Sequence, residues 1–212
     1  SRCGGDNAET MFQLEQPATF EQVIKKSRFL AIALPVASET EAKDAIAAHS
    51  VADATHNCWA WRIGSAYRFS DDGEPSGTAG KPILAAMEGQ SLDKAVVIVI
   101  RWFGGILLGS GGLVRAYGGT AAACLRAAPL IEVKPSVLGA VSIEFSDLAR
   151  TKARLQSIED VKITEEVFTD TGAELRIQIP EAEQDVISRM ISDLTSGRSE
   201  LSLECNHAAL AT

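Results

Sequence analysis

Two stretches of this chain hold most of the side chains able to do chemistry. SDDGEPSGTAGKP (70–82) contributes Asp71, Asp72, Glu74, Thr78, Gly80 and Lys81, with His56 upstream of it. RWFGGILLGSGGLVR (101–115) contributes Arg101, Gly104, Gly105, Gly109, Ser110, Gly111 and Arg115. A histidine held against two or three carboxylates can bind a divalent ion or exchange protons as an acid–base pair. No His or Cys partner stands at metal-ligand spacing, however, and solvated charges or helix caps are the plainer reading of those carboxylates. A glycine-rich turn running into a helix offers an anion free N–H groups and the positive end of the helix dipole. The same glycines equally suit tight turns and close packing, and both uses stay open.

The named motifs are incomplete. A G-x-G-x-x-G starting at Gly109 meets Val114 where its last glycine belongs, and Gly80-Lys81 is followed by Pro82 rather than Ser or Thr. A nucleophile elbow on Ser110 fails at Leu108. Ser110 has no base nearby in sequence and reads as a helix cap. Trp102 and Phe103 are able to stack bases, but they continue an apolar strand, so core packing is the simpler expectation. Arg101 is the informative residue. A charge that closes an apolar strand must be paired or must face a ligand. Asp72 or Glu74 can pair with it, and either pairing would join the two loops into one polar pocket. No catalytic residue, metal or cofactor is assigned.

The elements that position these groups follow from periodicity. Ala95 to Ile100 is an unbroken, mostly β-branched run, as expected of a strand buried on both faces. After it comes a glycine loop through 109–112 and a helix whose Leu113, Tyr117, Ala121 and Cys124 share a face. Its small residues suit close approach to a sheet. Upstream, Ala18–Ile24 and Phe29–Val36 read as an antiparallel pair around a Lys25-Lys26-Ser27 corner. Ser38 and Glu41 form a capping box for a helix over 39–49. Thr55–Arg62 alternates, with His56 and Cys58 on one face and Trp59 and Trp61 on the other. Thr78 or Gly80 starts the next helix. Beyond Pro129 the order is β-α-β-β-α-β, with strands at 137–145, 161–168, 175–179 and 201–203 and helices at 148–158 and from Pro180 onward.

At 212 residues the chain can hold one large domain or two small ones. The expected division is an extension at 1–17, domains at 18–133 and 134–206, and a tail at 207–212, with Met11 a possible natural start. The net charge is −8. Residues 134–212 carry 8 basic and 14 acidic side chains, or −6, whereas residues 1–133 carry 12 and 14, or −2. The second half is therefore a poor nonspecific nucleic-acid binder, while the first has room for a local basic patch. No apolar run is long enough to span a membrane. Four dispersed cysteines without C-x-x-C spacing, in a chain with no export signal, suggest reduced thiols and a cytoplasmic setting.

The segments Phe69–Pro82 and Val99–Gly118, with KKSRF (25–29) and THNCWAW (55–61), resemble the signatures of the IMPACT family over about residues 18–130. Trp102-Phe103 stands where that family usually has an aromatic pair rich in tyrosine. The resemblance implies an α+β fold in two parts. The first would be similar to a small-subunit ribosomal protein, to domain IV of elongation factor G and to GHMP kinases. The second would be ferredoxin-like, as in bacterial YigZ-type members. It also implies a non-enzymatic regulator or binding protein linked to translation, with RNA, the ribosome or a translation protein as partner and no membrane. His56, Asp72, Glu74, Gly80, Arg101, Gly104, Gly105, Gly109 and Arg115 fall in the family's motifs, and Thr78, Lys81, Ser110 and Gly111 complete the expected binding surface. A small-molecule enzyme or nucleotide and phosphate binder, using the glycine turn and the acidic loop, is the alternative.

Overall fold

The computed structural model describes residues 10–204. Cys3, Cys205 and the 207–212 tail lie outside the described residues. The chain is α+β and divides into two compact units, residues 10–133 and the segment from Lys134 onward.

In the first unit, β2 (Ala18–Ile24), β3 (Ser27–Pro35), β6 (Ala95–Trp102), β4 (His56–Ile63) and β5 (Ala66–Ser70) form one sheet in that spatial order. Every pairing is antiparallel. β6 is central, and Ala95 to Ile100 are fully buried. An apolar run of this kind is usual in parallel sheets covered on both sides. Here an antiparallel sheet is covered in the same way. Helix α1 (Glu39–His49) covers one face, where Ala42 packs with Trp61, Val96, Ile98 and Ile100. Helices α2 (Gly80–Gly89) and α3 (Gly109–Ala127) cover the other, where Ile83, Met87, Leu113 and Tyr117 meet Phe29, Cys58, Val97 and Val99. Ser38 caps α1 by accepting from Glu41 N at 3.2 Å, and Glu41 reaches back to Ala37 N at 2.7 Å. The small residues of α3 also serve α2: a Cβ on Gly118 would lie 3.4 Å from Pro82.

Two strands escape a reading by periodicity. β1 (Met11–Leu14), within the stretch expected as an extension, pairs antiparallel with β7 (Leu130–Val133). Four residues are too few to show a period, and the partner is more than a hundred residues away. Helix α3 begins at Gly109, so the expected glycine loop at 109–112 is the helix's first turn.

The second unit has the sheet order β11-β8-β10-β9. Its elements are β8 (Ser136–Glu144), α4 (Phe145–Gln156), β9 (Lys162–Phe168), β10 (Gly172–Pro180), α5 (Gln184–Leu194) and β11 (Ser202–Leu203). All pairings are antiparallel. Leu155, Leu175, Ile177, Ile187 and Ile191 fill the core on the helical side. Pro180 ends β10 rather than opening α5, and a short 3-10 turn (Glu181–Glu183) intervenes. Among the described residues no helix is long and apolar enough to cross a membrane.

Candidate functional site

Arg101, next to last in β6, pairs with His56 on β4 and Phe29 on β3. Its side chain lies on the α2–α3 side of the sheet, only 5% exposed. Nη1 donates to Glu74 Oε1 at 2.6 Å, and Nη2 to Ser27 Oγ at 3.3 Å. Tyr117, two turns into α3, donates its hydroxyl to the same Glu74 oxygen at 2.6 Å. His56 Nε2 stands 3.7 Å from it, and Nδ1 contacts the Asp72 carbonyl at 2.6 Å. A carbonyl only accepts, so Nδ1 carries the proton there. One carboxylate oxygen thus ties a loop (71–79), a central strand and a helix together.

The acidic loop is organised by Asp71, which is not part of the expected binding surface. Asp71 Oδ1 accepts from Ala79 N at 3.1 Å and Gly80 N at 2.9 Å, and Oδ2 from Gly77 N at 2.9 Å. Asp71 therefore serves the N-terminus of α2 in place of a local cap, since Ala79 offers none. Burial pushes the Asp71 carboxyl up, but the amides of Gly77, Gly80 and Ala79 outweigh it and hold it below its ordinary value. Asp72 does not reach Arg101; its Oδ2 accepts from Asn57 N at 2.6 Å. Thr78 donates to the Pro75 carbonyl at 2.6 Å and closes the turn. A Cβ on Gly80 would come within 2.8 Å of the Ser70 backbone, so its glycine is a packing requirement.

The remaining expected residues sit at the start of α3. Ser110 is not a cap; Leu108 occupies that position, without a side-chain hydrogen bond. Gly105 and Gly109 turn the chain with φ of 89° and 72°. No hydrogen bond or ion pair links Lys81, Ser110 or Arg115 to Glu74 or Arg101 among the described residues. Arg115 instead lines a groove of about 210 Å³ with Ile24, Lys25, Leu108, Gly112 and Ala116, and its guanidinium lies beside Gly111. The Arg101–Glu74 pairing is present within a closed cluster, and Arg115 lines an open groove at the start of α3. A charge pair inside a core satisfies itself and leaves little for a ligand.

Gly104 connects the two. A Cβ there would lie 1.9 Å from the Lys26 carbonyl oxygen, and its own N–H donates to Ser27 Oγ at 3.2 Å. The Lys25-Lys26 turn is thus pressed against the exit of β6. In sequence both lysines form only a polar corner; their left-handed φ of 45° and 65° leaves no mark in periodicity. Periodicity likewise places Tyr117 on the packing face and gives Ser27 no role, with no trace of their hydrogen bonds. Phe103 is not core, being 45% exposed, whereas Trp102 is half-buried.

Nucleophiles are scarce. Burial above all pushes the Cys58 thiol up to about 12, and it donates to the Asp71 carbonyl at 3.0 Å. Burial also pushes Cys124 up to about 11 and raises the Tyr117 hydroxyl from its ordinary value. Thiols held this high are inert at neutral pH. Among the described residues no cluster of His, Cys, Asp and Glu is able to hold a metal ion.

The site thus consists of buried polar side chains clasped around a loop, with a groove lined by Lys25 and Arg115 at the start of α3. The Impact N-terminal domain matches residues 25–125, and a domain of unknown function, DUF1949, matches residues 141–198. A Thermus thermophilus protein described as an IMPACT family member in the pol 5′ region is 46% identical over 179 residues, covering 83% of this chain and 97% of that one. The Escherichia coli IMPACT family member YigZ is 36% identical over 194 residues, covering 87% and 93%. A crystal structure of a hypothetical protein superposes with a TM-score of 0.65 at 34% identity, covering 94% of this chain and 99% of that one. The chain belongs to the IMPACT family, in its YigZ-type two-domain form.

Proposed function

We propose that this protein is a non-catalytic cytoplasmic regulator that works by binding RNA or the ribosome through residues 18–133. The observation that carries the reading is a set of free cations in an otherwise acidic chain. Among the described residues, Lys25, Lys26 and Arg115 have no ion-pair partner. They stand at the β2–β3 turn and the first turns of α3, around one groove and against one close backbone contact. Free cations gathered beside a helix N-terminus suit a phosphate backbone.

The family likeness supports the same direction. In this reading residues 18–133 share the fold of small-subunit ribosomal proteins and elongation factor G domain IV, and residues 134–206 are ferredoxin-like. The small-molecule alternative needs Asp72, Glu74 and the glycine turn around one ligand. Glu74 is spent on Arg101 and Tyr117, and Asp72 on the Asn57 amide, which argues against it.

Ribosome co-sedimentation and filter binding against bulk RNA, each across a salt series, test the proposal. Association is expected to weaken with salt, with a log–log slope near −2, since about 0.7 counterions leave per phosphate contacted on a single strand. No salt-dependent association with either would remove the proposal.

A further inference from the structure

Phe103 is exposed yet held in place. Its backbone N–H donates to Thr55 Oγ1 at 2.9 Å, and the next residue, Gly104, is pinned against Lys26. The Arg101 guanidinium lies 5.4 Å from the centre of its ring and 5.6 Å from that of Phe29, so it sits against both rings. Glu74 and Ser27 fix that guanidinium in turn. The ring therefore has a cation against it from the protein side while 45% of the residue faces solvent. On the same edge Arg28 stacks over Trp102 at 4.3 Å and is held by Glu21 at 2.6 Å.

The free cations begin one close contact away. Lys25 and Lys26 form a two-residue hairpin turn with both residues left-handed, a shape that favours Asn-Gly and strains ordinary side chains. Strain kept at a surface turn points to a use for the side chains that cause it. From Lys25 the groove runs to Leu108, Gly112 and Arg115.

We infer that this surface takes single-stranded RNA, with an unpaired base on the open side of Phe103 and the sugar–phosphate backbone along Lys26, Lys25 and Arg115. The inference rests on the RNA-binding reading and makes it specific. Aromatic rings reach base faces only where bases are unstacked, and a duplex hides those faces and presents phosphates and 2′-hydroxyls instead. A surface meant for duplex RNA has no need of a fixed, solvent-facing ring beside its cations.

Fluorescence anisotropy of the full chain tests this, with a labelled single-stranded oligoribonucleotide and its duplex at matched salt. The single strand is expected to bind at least about tenfold more tightly. Phe103→Leu keeps an apolar side chain but removes the ring, and is expected to weaken single-strand binding about 5- to 150-fold, the worth of one stacked base. It should leave the salt slope unchanged, whereas Lys25→Ala and Arg115→Ala should each make that slope shallower. A thermal melt matching the parent establishes that each variant is folded. Equal affinity for duplex, or binding indifferent to Phe103→Leu, overturns the single-strand inference while leaving RNA binding in place. Ribosome association without oligonucleotide binding also overturns it. Absence of binding to oligonucleotides, RNA and ribosomes alike defeats both readings.

Discussion

Glu74→Ala tests whether the Arg101 cluster is a structural clasp. Glu74 Oε1 receives Arg101 Nη1 and the Tyr117 hydroxyl, each at 2.6 Å, from a carboxylate only 4% exposed. Arg101 Nε already lacks a partner, so the truncation leaves a buried guanidinium with only Ser27 Oγ at 3.3 Å. Breaking a buried pair from one side costs about 3–5 kcal/mol, and the stranded Tyr117 hydroxyl adds about 1 kcal/mol. A domain this size has only about 5–15 kcal/mol of stability in all. The expected loss is therefore a large fraction of it, equivalent to a fall in Tm of about 10–20 °C. The chain's three tryptophans, Trp59, Trp61 and Trp102, all lie in the first unit, so urea unfolding followed by tryptophan fluorescence reports on that unit alone. Combining Glu74→Leu with Arg101→Met removes both charges and should recover most of the loss, because two apolar groups need no partners. A loss below about 1 kcal/mol for Glu74→Ala, or a double variant less stable than Glu74→Ala alone, would refute the clasp.

The other predictions concern the acidic loop, the thiols and the β2–β3 turn. Because the folded Asp71 carboxyl titrates below its ordinary value, its stabilisation is present above the unfolded pKa and lost as pH falls through the folded one. Asp71→Asn should thus lower stability at pH 7 and flatten the acid limb of a urea-midpoint-versus-pH curve; an unchanged limb would contradict the capping role. Cys58 and Cys124 should resist iodoacetamide at pH 8 in the folded protein and react once it is unfolded, as read by peptide mass spectrometry. Gly104→Ala places a methyl against the Lys26 carbonyl and should cost about 3 kcal/mol or more in the same urea titration. Replacing Lys25-Lys26 by Asn-Gly should raise the urea midpoint, by relief of about 1–2 kcal/mol per left-handed residue, while weakening RNA retention in filter binding.

The reach of the sequence follows the range of the interactions involved. The β6 run, the Ser38–Glu41 cap and the apolar face of α3 are written within a few residues, and periodicity finds them. Arg101 stands out because a charge at the end of an apolar strand has to be answered, and the loop carboxylates Asp72 and Glu74 are the candidates. Which of them answers depends on Asp72 being taken by the Asn57 amide and Glu74 by Tyr117, contacts that bridge 15 and 43 residues. Local pattern carries no trace of either. The same holds for β1 and β7, four-residue strands that each exist only because the other does. Phe103 fails differently. The apolar run predicts that burial continues, but Gly104 must meet Lys26 with no room for a Cβ, and that approach turns the chain out of the sheet one residue early. The close contact that exposes the ring also brings the lysine turn beside it. A glycine whose role looks purely conformational is therefore what sets the lysine turn against the exit of β6.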